Sequence, residues 1–192
     1  MMKGAMEAVV IGTSAGALEA LSVVLPALPS DYALPVIVVV HVPPDKKSVL
    51  VELFRAKCRI EVCEAEDKEP IKGGTIYFAP PDYHLLVEKN KCLSLSSDEP
   101  VLFSRPSIDV LFESAADAYG PALVGVILSG ANRDGANGSK AIAGTGGVVV
   151  VQSPEEAFSS AMPEAALAAC PDARVLPLDE IAAFLREVRC PP

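Results

Sequence analysis

Ser14, His41 and Asp134 supply the groups from which nucleophilic attack on a carbonyl carbon is assembled: a hydroxyl, an imidazole base and a carboxylate. Ser14 lies in Gly12-Thr13-Ser14-Ala15-Gly16, the G-x-S-x-G spacing of a nucleophile elbow. Glycines on either side avoid side chains that would clash in so tight a strand-to-helix turn. A helix starting near Gly16 directs unpaired N–H groups at the same spot, which suits a developing oxyanion. The same spacing also describes a glycine-rich turn that binds phosphate at a helix amino terminus. A dinucleotide fingerprint is less suitable, because G-x-G-x-x-G is not satisfied.

The chain has two histidines. His41 ends an apolar run and is the one placed to activate a serine, which is a poor nucleophile without a base. His84, beside Tyr83, reads as a hydrogen-bonded structural residue. Asp134 sits in Ser129-Gly130-Ala131-Asn132-Arg133-Asp134-Gly135, where an aspartate by itself is a cap or turn residue. Its alternative role is to accept a hydrogen bond from His41 and fix the imidazole tautomer. Taken together, the three residues favour a triad. Their chain order, Ser then His then Asp, is neither the Ser–Asp–His order of α/β-hydrolases nor that of the two familiar serine-protease folds.

The surrounding pattern alternates short apolar strands with helices. Ala8–Ile11 and Pro35–Val40 read as buried strands, and Leu18, Leu21, Val24, Leu25 and Leu28 recur at helical spacing until Pro29. Lys46–Lys57 reads as a helix and Ile60–Cys63 as a strand. Thr75–Phe78, His84–Val87 and Cys92–Leu95 read as an antiparallel insertion at the sheet edge, with a turn at Asn90-Lys91. Ser107 is the expected cap of a helix carrying Ile108, Leu111, Phe112 and Ala115. Strands are expected at Leu123–Leu128, Val148–Val151 and Arg174–Leu178, a helical turn at Ser153-Pro154-Glu155, and helices around Glu164–Ala169 and from Asp179. The expected fold is α/β: a doubly wound, mostly parallel sheet with helices on both faces, a small antiparallel edge insertion, and one domain over 1–192. In such a sheet, ligands bind beyond the carboxyl ends of the strands, where the loops of Ser14, His41 and Asp134 would meet.

Composition narrows the class. Apolar residues make up 51% and charged residues 21%, which excludes a disordered chain. Sixteen basic against 25 acidic residues give a net charge of −9, a poor balance for nucleic acid or an anionic membrane. No apolar run approaches the ~20 residues of a membrane-spanning helix, so direct membrane insertion is not expected. Lys3 followed by Ala8–Ile11 faintly suggests a signal peptide, but Glu7 and Glu19 interrupt that pattern. The five cysteines include no C-x-x-C pair, and no histidine lies near Cys58 and Cys63, so reduced thiols in a cytoplasmic protein are expected, with no metal.

Several blocks, in one order, resemble the catalytic domain of the bacterial chemotaxis receptor methylesterases, the protein-glutamate methylesterases. They are Ile11-Gly12-Thr13-Ser14, His41 with Pro43-Pro44, Ile76-Tyr77-Phe78-Ala79-Pro80 with Asp82 and His84, and Arg105-Pro106-Ser107-Ile108-Asp109-Val110-Leu111-Phe112. Val124–Gly130, Asp134-Gly135-Ala136 and Met162-Pro163-Glu164-Ala165 continue the series. The resemblance implies a Ser–His–Asp hydrolase that removes methyl esters from glutamate side chains on the cytoplasmic helices of chemoreceptors; some members also deamidate receptor glutamines. It maps Ser14 to the nucleophile, His41 to the base and Asp134 to the orienting carboxylate. The backbone N–H groups of Ala15 and Ala131 map to the oxyanion hole, and no cofactor is implied. Arg105 is a candidate to orient substrate, with an external ion pair as its alternative.

The chain departs from the usual family pattern at three places. It has Ala15-Gly16-Ala17 in place of Thr-Gly-Gly, Val40 in place of glutamine, and Ala131 in place of a common methionine. The first strand starts within the first ten residues, leaving no room before it for the receiver domain that typical members carry. Two rival readings remain open at this level. The same triad could act on another methylated protein or a small ester, or the fold could be a non-catalytic signalling interaction module.

Overall fold

The structure, a computed structural model, describes residues 6–41 and 49–188. Lys3, Pro43, Pro44 and the first residues of the expected Lys46–Lys57 helix lie outside them. Nine strands and six helices occupy the described residues. In chain order they are β1 (Ala8–Thr13), α1 (Ala17–Val24), β2 (Val36–Val40), α2 (Leu50–Lys57), β3 (Glu61–Glu64), β4 (Thr75–Phe78), β5 (His84–Val87) and β6 (Leu93–Ser96). They continue with α3 (Ile108–Tyr119), β7 (Leu123–Ile127), α4 (Ala136–Gly144), β8 (Val148–Gln152), α5 (Ala161–Ala169), β9 (Arg174–Leu176) and α6 (Leu178–Glu187).

Seven strands form one parallel sheet in the order β3-β4-β2-β1-β7-β8-β9. The β-branched runs explain its centre, since strands covered on both faces need apolar side chains at every position. Alternate residues of each strand go to opposite faces. Val9, Ile11, Val36, Val38 and Val40 join a core with Leu21 and Val24 of α1, Phe54 of α2 and Ile181 and Leu185 of α6. Ala8, Val10, Ile37 and Val39 join a second core with Ile108, Leu111 and Phe112 of α3, Ile142 of α4 and Met162 and Ala166 of α5. Fully burying each such branched side chain stabilises the fold by roughly 1.5–3 kcal/mol.

Two sequence expectations change here. Thr75–Phe78 is not part of an antiparallel insertion; it is β4, a parallel strand inserted between β2 and β3. Both its faces are buried, so the period-2 pattern that marks a half-exposed strand was never present. The antiparallel pair is β5–β6, a separate two-stranded sheet that delivers Leu85, Val87 and Leu93 to the α3 side of the core. The helix from Gly16 also stops earlier than its pattern suggested. α1 ends at Val24, and Leu25–Ala27 form a 3₁₀ turn around Pro26. Leu18, expected on the buried stripe, is 51% exposed beside the Ser14 turn.

Candidate active site at the carboxyl ends of the central strands

β1 lies between β2 and β7, so the loops after these three strands converge on one rim where the sheet order changes direction. Register places the first two groups. Thr13 of β1 pairs with Val40 of β2, and the His41 N–H continues the ladder by donating to the Thr13 carbonyl at 3.2 Å. The next residues along are Ser14 and His41.

The Ser14 turn is shaped by close approach. A Cβ on Gly12 would lie 2.3 Å from Cγ2 of Ile108, the first residue of α3. Gly16 has φ +82°, and a Cβ there would lie 2.6 Å from Phe158 Cβ. The turn is tied to the loop after β7 by three bonds. The Ser14 N–H and the Thr13 hydroxyl both donate to the Ser129 carbonyl at 2.9 Å, and the Ser129 hydroxyl donates to the Ala15 carbonyl at 2.7 Å. Ser129 is itself held by its N–H to Gln152 Oε1 at 2.8 Å. Among the described residues, Ser14 Oγ and the N–H groups of Ala15 and Ala131 have no hydrogen-bond partner.

His41 and Asp134 are in direct contact. His41 Nε2 lies 2.8 Å from Asp134 Oδ2, with the imidazole 11% exposed and the carboxylate 0%. Asp134 also accepts the Ile108 N–H on Oδ2 at 2.7 Å. Its Oδ1 accepts the Asp109 N–H and the Ser107 hydroxyl, each at 2.9 Å. Four donors saturate the lone pairs of a carboxylate. Burial pushes the Asp134 pKa up, but the His41 hydrogen bond and the Asp109 and Ile108 N–H groups outweigh it, and the net direction is down. An ionised carboxylate only accepts, so Nε2 is the protonated nitrogen of a neutral His41 and Nδ1 keeps its lone pair.

The two readings of Asp134 prove to be one arrangement. It is a cap, but of α3 rather than of the helix that follows it, and the same carboxylate bonds the histidine. Ser107 is correspondingly not the capping side chain; it occupies the cap position of α3 without a capping bond and donates its hydroxyl to Asp134. His84 is structural. Its Nδ1 accepts the Ser107 N–H at 3.1 Å and its Nε2 bonds the Glu99 carbonyl at 3.0 Å. Arg105 takes the ion-pair alternative. Nε and Nη2 reach Asp82 Oδ1 at 3.1 and 2.6 Å, while Nη1 reaches the carbonyls of Ser97 and Asp98 at 2.8 and 3.1 Å. That guanidinium clamps the segment leading into Ser107.

Sequence reasoning missed Asp109 and Gln152 in this neighbourhood. An acidic residue in the first turn of a helix is ordinary, and a glutamine ending a strand carries no signal by itself.

Ser14 and His41 line one open cleft of about 520 Å³, together with Leu18, Glu19, Leu50 and Phe158 among others. A second concavity, about 500 Å³, lies at the other end of the sheet against Val148 and Arg174. No group of three or more metal-ligating side chains occurs among the described residues. Among those residues, no helix is long and apolar enough to cross a membrane.

Comparison with known proteins agrees with this fold. The crystal structure of the Thermotoga maritima CheB methylesterase catalytic domain superimposes with a TM-score of 0.90, at 31% identity, covering 96% of this chain and 99% of that one. A Leptospira interrogans protein, provisionally named protein-glutamate methylesterase/protein-glutamine glutaminase, is 48% identical over 176 residues, 92% of this chain and 91% of its own length. The Archaeoglobus fulgidus protein-glutamate methylesterase/protein-glutamine glutaminase is 38% identical over 177 residues, and the match spans 51% of its length. The family profile described as CheB methylesterase matches residues 9–185. The chain belongs to the CheB methylesterase family.

Proposed function

We propose that this chain is a protein-glutamate methylesterase whose single catalytic domain, over 1–192, carries a Ser14–His41–Asp134 triad. Its substrates are the methylated cytoplasmic helices of chemoreceptors, in the cytoplasm, and glutamine deamidation is the companion reaction. The observation that carries the reading is the saturated, ionised Asp134 bonded to His41 Nε2, which leaves the lone pair on Nδ1 available for a base. Three of its four bonds come from Ser107, Ile108 and Asp109 at the start of α3; the fourth, to His41, is the one for which a non-catalytic module would have no use.

In the first step His41 Nδ1 takes the Ser14 proton while Oγ bonds to the glutamyl carbonyl carbon. The imidazolium is stabilised by Asp134, and the N–H groups of Ala15 and Ala131 are the donors available for the oxyanion. Each donor of that kind is worth roughly 3–4 kcal/mol in the transition state. The C–O bond to the methoxy group then breaks, His41 returns its proton, and methanol leaves. Water, deprotonated by His41, cleaves the acyl-enzyme and releases the glutamate side chain with Ser14 restored. For glutamine the leaving group is ammonia and the other steps are unchanged. The open cleft suits a side chain presented on a macromolecule better than an engulfed small ester.

The test is methanol release from methyl-labelled receptor by the wild-type protein and by Ser14→Ala. Release abolished in the variant supports the nucleophile, and release that survives it overturns the assignment. Release from small esters but from no receptor would move the substrate to the small-molecule class.

A further inference from the structure

We infer that Asp109 is a positioning residue for the triad: by holding the amino terminus of α4, it fixes the carboxylate of Asp134 against His41. The inference rests on the triad reading above. Asp109 is the second residue of α3, yet its side chain does not turn back on its own helix. Oδ1 accepts the Gly135 N–H at 2.9 Å and the Gly138 N–H at 2.8 Å, and Oδ2 accepts from Asn137 Nδ2 at 3.3 Å. Gly135 directly follows Asp134 and Gly138 lies in the first turn of α4. Asp134 meanwhile accepts the N–H groups of Ile108 and Asp109 in the first turn of α3.

Two helix amino termini therefore face one another, and each is capped by an aspartate belonging to the other. Neither helix has a capping side chain at its own cap position. The exchange grips Asp134 at both ends: α3 holds its carboxylate, and Asp109 holds the peptide N–H next to its Cα. Gly135 and Gly138 are buried, so without Asp109 two buried N–H groups beside Asp134 lose their acceptor. Satisfying them elsewhere requires the loop to turn, and that turn carries the Asp134 carboxylate off His41 Nε2. Burial also raises the Asp109 pKa, an effect opposed by the Gly138 N–H and reinforced by the Asp134 charge. The bonds that the Asp109 carboxyl accepts all come from the Gly135–Gly138 segment.

The experiment measures methanol release and thermal unfolding for Asp109→Ala and Asp109→Asn, each alone and in an Asp134→Asn background. Misplacing a catalytic group by about an ångström can cost about 10²-fold, so Asp109→Ala is expected to lower kcat about 10- to 100-fold with KM nearly unchanged. Asp109→Asn keeps an oxygen at the Oδ1 position and is expected to stay within about fivefold of wild type. In the Asp134→Asn background, Asp109→Ala is expected to cost no more than about twofold, because a residue acting through Asp134 has nothing left to position. A purely structural role would lower activity equally in both backgrounds, and that result overturns the inference. A folded Asp109→Ala with wild-type kcat also overturns it. Should Asp109→Ala fail to fold, Asp109→Glu keeps the charge but moves the acceptor by one methylene. It is expected to lose at least about tenfold in kcat, and wild-type turnover would overturn the inference. Wild-type kcat in Asp134→Asn alone brings down the triad assignment, and the positioning role with it. Wild-type kcat in Asp109→Ala while Asp134→Asn is strongly impaired brings down the positioning role alone.

Discussion

In the turn after β1, Ser14 is half-buried and its Oγ has no hydrogen bond among the described residues, whereas after β7 the Asp134 carboxylate is wholly buried and accepts four. Both loops are glycine-containing and both are anchored through their backbones. They differ in what they leave free. A nucleophile must exchange partners during turnover, from histidine to carbonyl carbon and back, so a fixed hydrogen bond on Ser14 would have to be broken in every cycle. An orienting carboxylate changes no partner, so each added donor sharpens its position and keeps it ionised. Hydrogen bonds to charged groups contribute about 1.5–3 kcal/mol each, enough to hold a charge that burial alone would neutralise. His41 stands between the two: its side chain is 11% exposed, its Nε2 is bonded to Asp134, and it lines the open cleft with Ser14.

That contrast can be broken most sharply at Ser14. Ser14→Ala is expected to lower kcat by about 10⁴-fold or more with unchanged thermal stability, since the side chain makes no bond whose loss would matter. Asp134→Asn is expected to lower kcat by about 10³-fold, and here stability falls too, because an amide places N–H groups against donors that need an acceptor. Equal stability for the two variants in a urea titration would remove the distinction between the loops.

Gly16→Ala attacks the free loop through its backbone. The φ of +82° and the contact with Phe158 make the change strained, and a loss of about 1–3 kcal/mol together with about tenfold in kcat is expected. Thermal unfolding with steady-state kinetics checks both.

pH separates the loops without mutation of Ser14. Asp134 titrates in the folded protein below the ordinary carboxylate value of about 3.9, so its contribution is complete above about pH 4 and is lost as pH falls through the folded value. Asp109 has its folded pKa raised, so its protonation in acid favours the folded state and opposes that loss. Urea midpoints between pH 5 and pH 3 are expected to fall more steeply for the wild type than for Asp134→Asn, because only the wild type loses a carboxylate held ionised by its donors. Parallel slopes would show that the charge on Asp134 is not what the four donors stabilise.

The smallest effect is expected at Arg105. Arg105→Ala removes a clamp on Asp82, Ser97 and Asp98, for about 1 kcal/mol of stability and less than about threefold in KM. A tenfold rise in KM would restore a substrate role to that residue.

Much of the fold was legible because its signals are local. Apolar β-branched runs mark the central strands wherever they lie, and the glycines around Ser14 mark a turn that admits no side chain. Thr75–Phe78 was misplaced for the complementary reason. A four-residue strand buried on both faces carries no alternation to distinguish a parallel partner from an antiparallel one, and its neighbours β2 and β3 are chosen by the whole sheet. His84 was read correctly as structural, but its partners, Ser107 and Glu99, could not be read from its own surroundings.

The sequence by itself determined the identities of the three candidate side chains, the strand ends that carry them and the glycines that give Ser14 its turn. Each of those follows from a residue's own stereochemistry or from spacing along one element. Only the tertiary structure decided that Asp134 serves His41 and the amino terminus of α3 at once, that Asp109 returns the cap to α4, and that Arg105 pairs with Asp82. These are bonds between residues 23 to 93 positions apart, and they exist only because two helices and three strand ends pack together at one rim.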